Sequence, residues 1–226
     1  MNVALRRPMT PIEFLAWEER QEARHEFDGL RSVAMTGGTQ AHDAIQVNLV
    51  RSLANRLAGK PCRAHGSNLK IEVMGSVRYP DAFVTCGPLT LSSTVASDPV
   101  VIFEVLSKGI ARADRVAKNR EYASTASVRR YVMLEQDEIA ATMFERVGEE
   151  WLGRILAEDA VIRMPEIDIA LPPRRAVRRA GPVAARRRGR LGLRARRTGV
   201  LRPVVPRVAS PHVLARIHPR AAPEAG

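Results

Sequence analysis

The chain has 226 residues and a formal charge of +12, long enough for one domain with a sizeable core, and no run in it approaches the roughly 18 to 20 consecutive apolar residues of a membrane-spanning helix. The charge is segregated: residues 174–226 hold 15 arginines, no lysine and a single acid, Glu224, whereas residues 1–173 hold 21 basic and 23 acidic groups. Composition therefore excludes a helical membrane span and a basic core, and the expectation is a soluble, cytoplasmic domain over residues 1–173 followed by a separate tail.

Thr10-Pro11-Ile12-Glu13 is a capping box with proline at the first helical position, so a helix begins there, carries Phe14, Leu15 and Trp17, and ends before Phe27-Asp28-Gly29. Val33-Ala34-Met35 reads as a short strand. Thr39 then caps a second helix, in which Ala41, Ile45, Leu49, Leu53 and Leu57 recur every fourth position and Gly59 is the stop. Beyond Pro61 the period changes. Leu69 to Val73 alternates as a half-exposed strand does, and residues 79–86 and 100–106 read as further strands. Residues 112–124 are predicted helical, and residues 130–135, 139–145 and 151–156 are predicted strands. Helices interleaved with strands on short connections give an α/β class, a mixed sheet flanked by helices.

Cys62 and Cys86 show neither a C-x-x-C pattern nor Cys/His ligand spacing, which predicts two reduced thiols rather than a disulfide framework or a zinc site. After Leu171-Pro172-Pro173 the periodicities stop, and prolines at 203, 206, 211, 219 and 223 interrupt an arginine-rich stretch that is expected to be disordered. Three readings of this tail stand: an arm that meets phosphates, an inert extension, or an out-of-frame reading of GC-rich coding DNA.

One carboxylate, Glu104, interrupts the apolar run Val100-Val101-Ile102-Phe103-Glu104-Val105-Leu106. Burying it costs several kcal/mol unless it is protonated, ion-paired or bound to a cation. A second acid, Asp81, heads the apolar stretch Ala82-Phe83-Val84-Thr85. If the two strands are neighbours, Asp81 and Glu104 converge at one end and offer hard oxygen ligands suited to Mg²⁺ or Mn²⁺ rather than zinc.

An ordered set of segments resembles the Uma-type endonuclease family of the PD-(D/E)XK nuclease superfamily. They are Met9 to Leu15, Arg24-His25-Glu26-Phe27-Asp28-Gly29, Ala34 to Thr39, His42, Arg78-Tyr79-Pro80-Asp81, Glu104-Val105-Leu106-Ser107, Asp114 through Lys118 to Tyr122, and Arg130-Tyr131-Val132. The resemblance covers residues 9–172 and implies a restriction-endonuclease-like fold. By it, Asp81 and Glu104 are the two metal-binding acids of the motif. The motif lysine belongs two residues after the second acid, where this chain has Leu106; the resemblance implies that Lys118, on the following helix, takes its place. Glu26 matches an acid that the superfamily carries on its first helix, and His42 matches a recurrent histidine.

The function implied is metal-dependent hydrolysis of DNA phosphodiester bonds. Mg²⁺ or Mn²⁺ would be held by Asp81 and Glu104, Lys118 would assist water attack, and Glu26 would support metal or water. Nucleases that cut both strands commonly pair two active sites, so a homodimer is compatible. Two other classes stand beside this one: a nuclease fold without catalysis that serves as a nucleic-acid-binding or assembly module, and a protein whose binding lies wholly in the tail.

Overall fold

The computed structural model describes residues 8–107, 112–157, 160–172 and 214–217. Helix α1 (Pro11–Glu18) opens on the expected capping box: the Glu13 N–H donates to Thr10 Oγ1 at 3.2 Å, and the Thr10 N–H donates to Glu13 Oε2 at 2.8 Å. It ends earlier than the sequence suggests. The chain has already turned into strand β1 (His25–Phe27), which pairs with β2 (Ser32–Ala34) through a tight turn at Gly29, whose φ of 85° favours glycine. Glu26 therefore stands on a strand, and its expected place on the first helix is corrected.

Helix α2 (Gln40–Leu57) is capped by Thr39 and buries Ile45, Leu49, Leu53 and Leu57, the four-residue stripe visible in the sequence. The strands that follow are β3 (Arg63–Gly66), β4 (Lys70–Val73), β5 (Ser76–Arg78), β6 (Ala82–Thr85), β7 (Val95–Ala96) and β8 (Pro99–Leu106). Helix α3 (Arg112–Ser124) precedes β9 (Arg130–Glu135), β10 (Ala140–Val147), β11 (Glu150–Ala157), β12 (Ile162–Met164) and β13 (Ile169–Leu171); β14 (Leu214–Ile217) is the last. The expected strand over residues 79–86 is shorter, because residues 79–81 form the link between β5 in one sheet and β6 in another.

A seven-stranded mixed sheet runs in the order β14-β11-β10-β9-β8-β6-β3, with β8 and β9 parallel across the α3 crossover; a five-stranded sheet runs β2-β1-β5-β4-β7, and β12 pairs with β13. Period-two alternation divides β8 between two cores. Val101, Phe103 and Val105 face α2, while Ile102 and Leu106 join Tyr122 of α3, Phe83, Tyr131 and Ile71. Glu104 lies in the register of Ile102 and Leu106, so it points toward α3.

Three expectations change here. Lys70, placed on a half-exposed strand, is 4% exposed and ion-paired with Glu18 of α1 at 2.5 Å, and Tyr79 donates its hydroxyl to the same carboxylate at 2.8 Å. Burial acts to raise the Glu18 carboxyl, but the bonds from Lys70 and Tyr79 outweigh it and hold the group below its ordinary value. Cys62 and Cys86 form a disulfide rather than two free thiols. The reason is topological: β3 and β6 are antiparallel with Arg63 opposite Thr85, which sets the next residues, Cys62 and Cys86, face to face. Within the stretch expected to be disordered, Leu214–Ile217 forms an edge strand on β11, with Trp151 opposite Ile217. Its sequence Leu-Ala-Arg-Ile is compatible with an extended strand, and the outer edge of β11 offers the backbone groups it pairs with. Residues 173–213 and 218–226 lie outside the described residues.

Candidate active site

The two acids meet because their strands are adjacent. Strands β6 and β8 are antiparallel with Ala82 opposite Phe103, so the residue before Ala82 and the residue after Phe103, Asp81 and Glu104, oppose each other at the end of β6. The Val105 N–H donates to Asp81 Oδ2 at 2.7 Å. His42 Nε2 stands 3.2 Å from the same oxygen, and Gln46, one turn further along α2, donates to the Asp81 carbonyl at 2.9 Å. Asp81 is thus fixed from both β8 and α2.

Helix α3 brings the cation. Asp114, Lys118 and Tyr122 are spaced four apart and share a face. Lys118 Nζ lies 3.1 Å from Glu104 Oε1 and 3.4 Å from Glu26 Oε1, and the Tyr122 hydroxyl donates to Glu104 Oε1 at 3.3 Å. Glu26 is oriented by the Tyr79 N–H at 3.0 Å and by Arg78 at 3.3 Å, and Arg78 is held by Glu121 of α3 at 2.6 Å. The four residues singled out in the sequence, Glu26, Asp81, Glu104 and Lys118, therefore form one cluster, and none of their side chains is more than 14% exposed. Leu106, at the usual lysine position, is buried in the core beside Tyr122.

Withdrawal from water sets the electrostatics. Burial pushes the Glu104 carboxyl up to about 7, with Lys118 pulling it down and the charges of Asp81 and Glu26 pushing it further up. Burial opposes the charge on Lys118, but Glu104, Glu26 and Asp114 outweigh it and hold the ammonium above its ordinary range. Lys118 is therefore a cation at neutral pH, a donor rather than a base. The hydrogen bond to Asp81 raises His42 against the opposing effect of burial.

The donor set fits a hard divalent cation. Contacts within the protein engage Oδ2 of Asp81 and Oε1 of Glu104, which leaves Oδ1 and Oε2 as the oxygens to offer. Among the described residues no group of three or more His, Cys, Asp and Glu side chains is arranged to hold an ion. A site of two carboxylates suits Mg²⁺, which usually keeps several waters and takes its remaining ligands from substrate. It does not suit zinc.

Sequence reasoning missed the supporting residues. Gln46 is one: it stands i, i+4 from His42, which the resemblance had already singled out, and that polar spacing beside the apolar stripe of α2 is the available signal. Arg78 and Tyr79 belong to a segment that carries the resemblance, but neither their supporting contacts nor those of Glu121 could be read from sequence, since they join strands and a helix far apart in the chain.

A model of the Uma2 family, described as putative restriction endonuclease, matches residues 11–171. The uncharacterized protein slr1290 of Synechocystis sp. is 33% identical over 148 residues, covering 64% of this chain and 78% of that protein. The uncharacterized protein sll1609 of the same organism is 26% identical over 169 residues, covering 72% and 96%. A crystal structure of a putative nuclease belonging to DUF820 from Anabaena variabilis superposes with a TM-score of 0.64 at 17% identity, over 76% of this chain and 98% of that one, and shows the fold. With the family match spanning α1 to β13 and every element of the acidic cluster, the chain belongs to the Uma2 family of restriction-endonuclease-like proteins.

Proposed function

We propose that the protein is a metal-dependent endonuclease that hydrolyses phosphodiester bonds of DNA. What supports this reading above all is the approach of Lys118 from α3 to Glu104 at 3.1 Å, beside Asp81 and Glu26, in a chain whose lysine is missing from its usual strand position. Asp81 and Glu104 would hold Mg²⁺ or Mn²⁺. The chemistry such a cation would supply there is activation of water and neutralisation of charge on the scissile phosphate.

The chain's own residues prepare the rest. Val105 and His42 hold one Asp81 oxygen and so aim the other. Lys118, held among Glu104, Glu26 and Asp114, would orient the attacking water from beside the two metal-binding acids. Glu26, on β1, keeps Lys118 in place from the far side of Glu104 and is itself held by Tyr79 and Arg78.

Supercoiled DNA incubated with the purified chain and Mg²⁺ or Mn²⁺ tests this. Relaxed or linear product should appear with the cation, disappear with chelator, and be absent for Asp81→Ala. Cleavage that survives in Asp81→Ala would refute the assignment.

A further inference from the structure

We propose that Arg115 is a substrate-binding residue that takes an anionic phosphodiester oxygen of nucleic acid at the mouth of the candidate active site; the inference rests on the nuclease reading above. Arg115 lies in the first turn of α3, next to Asp114 and three residues before Lys118, so it occupies the helical surface adjoining the cluster. The helix begins just beyond the end of β8, and Leu106 at that end pairs with Glu135 at the end of β9. The Tyr131 hydroxyl, pushed well above its ordinary range by burial, feels Glu104, Asp114 and Asp81 and, with opposite sign, Arg115. Arg115 and the acids thus lie near enough to act on one hydroxyl.

Its bonding sets it apart. The other arginines drawn into the fold are paired: Arg78 with Glu26 and Glu121, Arg130 with Glu145 and Glu166, and Arg146 with the carbonyls of Ala123 and Val128. Arg115 is half-buried, its Nε is buried without a hydrogen-bond partner, and among the described residues no ion pair to it is found. A buried donor left unsatisfied destabilises a fold, so this position is poorly explained as structure.

The chemistry of the site says what the solvent-facing part of this half-buried guanidinium can meet. Asp81, Glu104, Glu26 and Asp114 repel a polyanion, and Lys118 is already engaged with carboxylates. A phosphate entering this cluster needs a cation that no internal acid has taken. The planar guanidinium fork matches a phosphate in geometry as well as charge. Contact with a phosphate oxygen carries no base information, so the interaction is indifferent to sequence.

The test uses the full chain and a short DNA duplex, with Ca²⁺ as the cation. Arg115→Ala should weaken binding several-fold to about tenfold on unrelated sequences and lower the slope of log affinity against log salt by about one. Arg115→Lys should recover part of the loss. The melting temperature of Arg115→Ala should equal or exceed that of the wild type, because removing an unpartnered donor relieves the fold, and its Mg²⁺-induced stabilisation should be intact. An RNA duplex of the same length should show the same loss if the phosphate is the ligand. Unchanged DNA affinity in Arg115→Ala overturns the inference and leaves the nuclease reading standing, provided that Asp81→Ala still loses its response to metal. A fall in melting temperature together with affinity assigns Arg115 to the fold and also overturns it. If the wild type binds no duplex at all, both readings fall.

Discussion

Glu104 is the residue whose chemistry was plainest in the sequence, since a carboxylate inside an apolar strand demands a partner. Lys118 could be placed near it only through the family resemblance, because the spacing of Asp114 and Lys118 also describes an ordinary surface pair. Glu26 was assigned to the wrong element, as the length of α1 is set by the turn into β1 and by no strong stop signal. With its carboxyl raised from 4.5 to about 7 by burial, Glu104 binds a proton more tightly in the folded state than in the unfolded chain. Its contribution to stability is therefore full below about pH 4.5 and declines as pH rises through about 7. Urea unfolding at pH 5 and pH 8 in chelator should show that decline in the wild type and a much smaller one in Glu104→Gln. Equal slopes for the two proteins would mean that Glu104 is ionised throughout.

At the scale of elements, local chemistry was a good guide wherever one residue pattern dominated. The Thr10 capping box, the stripe of α2, and the bounds of α3 and β9 all follow from it. It failed where tertiary partners decide. Strand β3, Arg-Ala-His-Gly, has no apolar alternation and exists because it pairs with β6. Lys70 looked solvent-facing and is buried because α1 brings Glu18 to it across 52 positions of sequence. That pair joins α1 to the five-stranded sheet, and its energetics can be separated. Glu18→Ala leaves the Lys70 ammonium buried and alone and should cost about 3 to 5 kcal/mol, whereas replacing both partners with apolar residues should recover most of that. The sign with pH is opposite to that of Glu104: the depressed Glu18 carboxyl adds stability above its unfolded value near 4.5, and that stability is lost as pH falls through the folded value. Denaturant titrations of the single and double variants check both points, and a loss under about 1 kcal/mol in Glu18→Ala would remove the pair from the forces holding α1.

For the molecule as a whole, the α/β class was readable from interleaved periodicities, while the division into three sheets was not, because it depends on breaks such as Tyr79-Pro80 that read locally as continuous strand. The same topology concentrates negative charge at one place. Asp81 and Glu104 oppose each other on adjacent strands, Glu26 enters from the second sheet, and Lys118 balances only part of their charge. A cation that binds this arrangement only in the folded state must stabilise the fold by mass action, by about 2.7 kcal/mol at a hundredfold excess over its dissociation constant. For a domain of this size that corresponds to a rise of roughly 5 to 10 °C in melting temperature. The rise should be larger at pH 8 than at pH 6, because the proton held by Glu104 competes with the metal in the lower range. Asp81→Ala and Glu104→Ala should abolish it. Lys118→Ala should keep it while losing cleavage, since the ammonium faces carboxylate and water rather than the ion. Thermal melts with Mg²⁺, Mn²⁺ and chelator, run beside the cleavage assay, distinguish these cases. A wild type whose melting temperature ignores both cations, and an Asp81→Ala variant that cuts as well as it, would together show that the acids gathered here serve the fold and not the reaction.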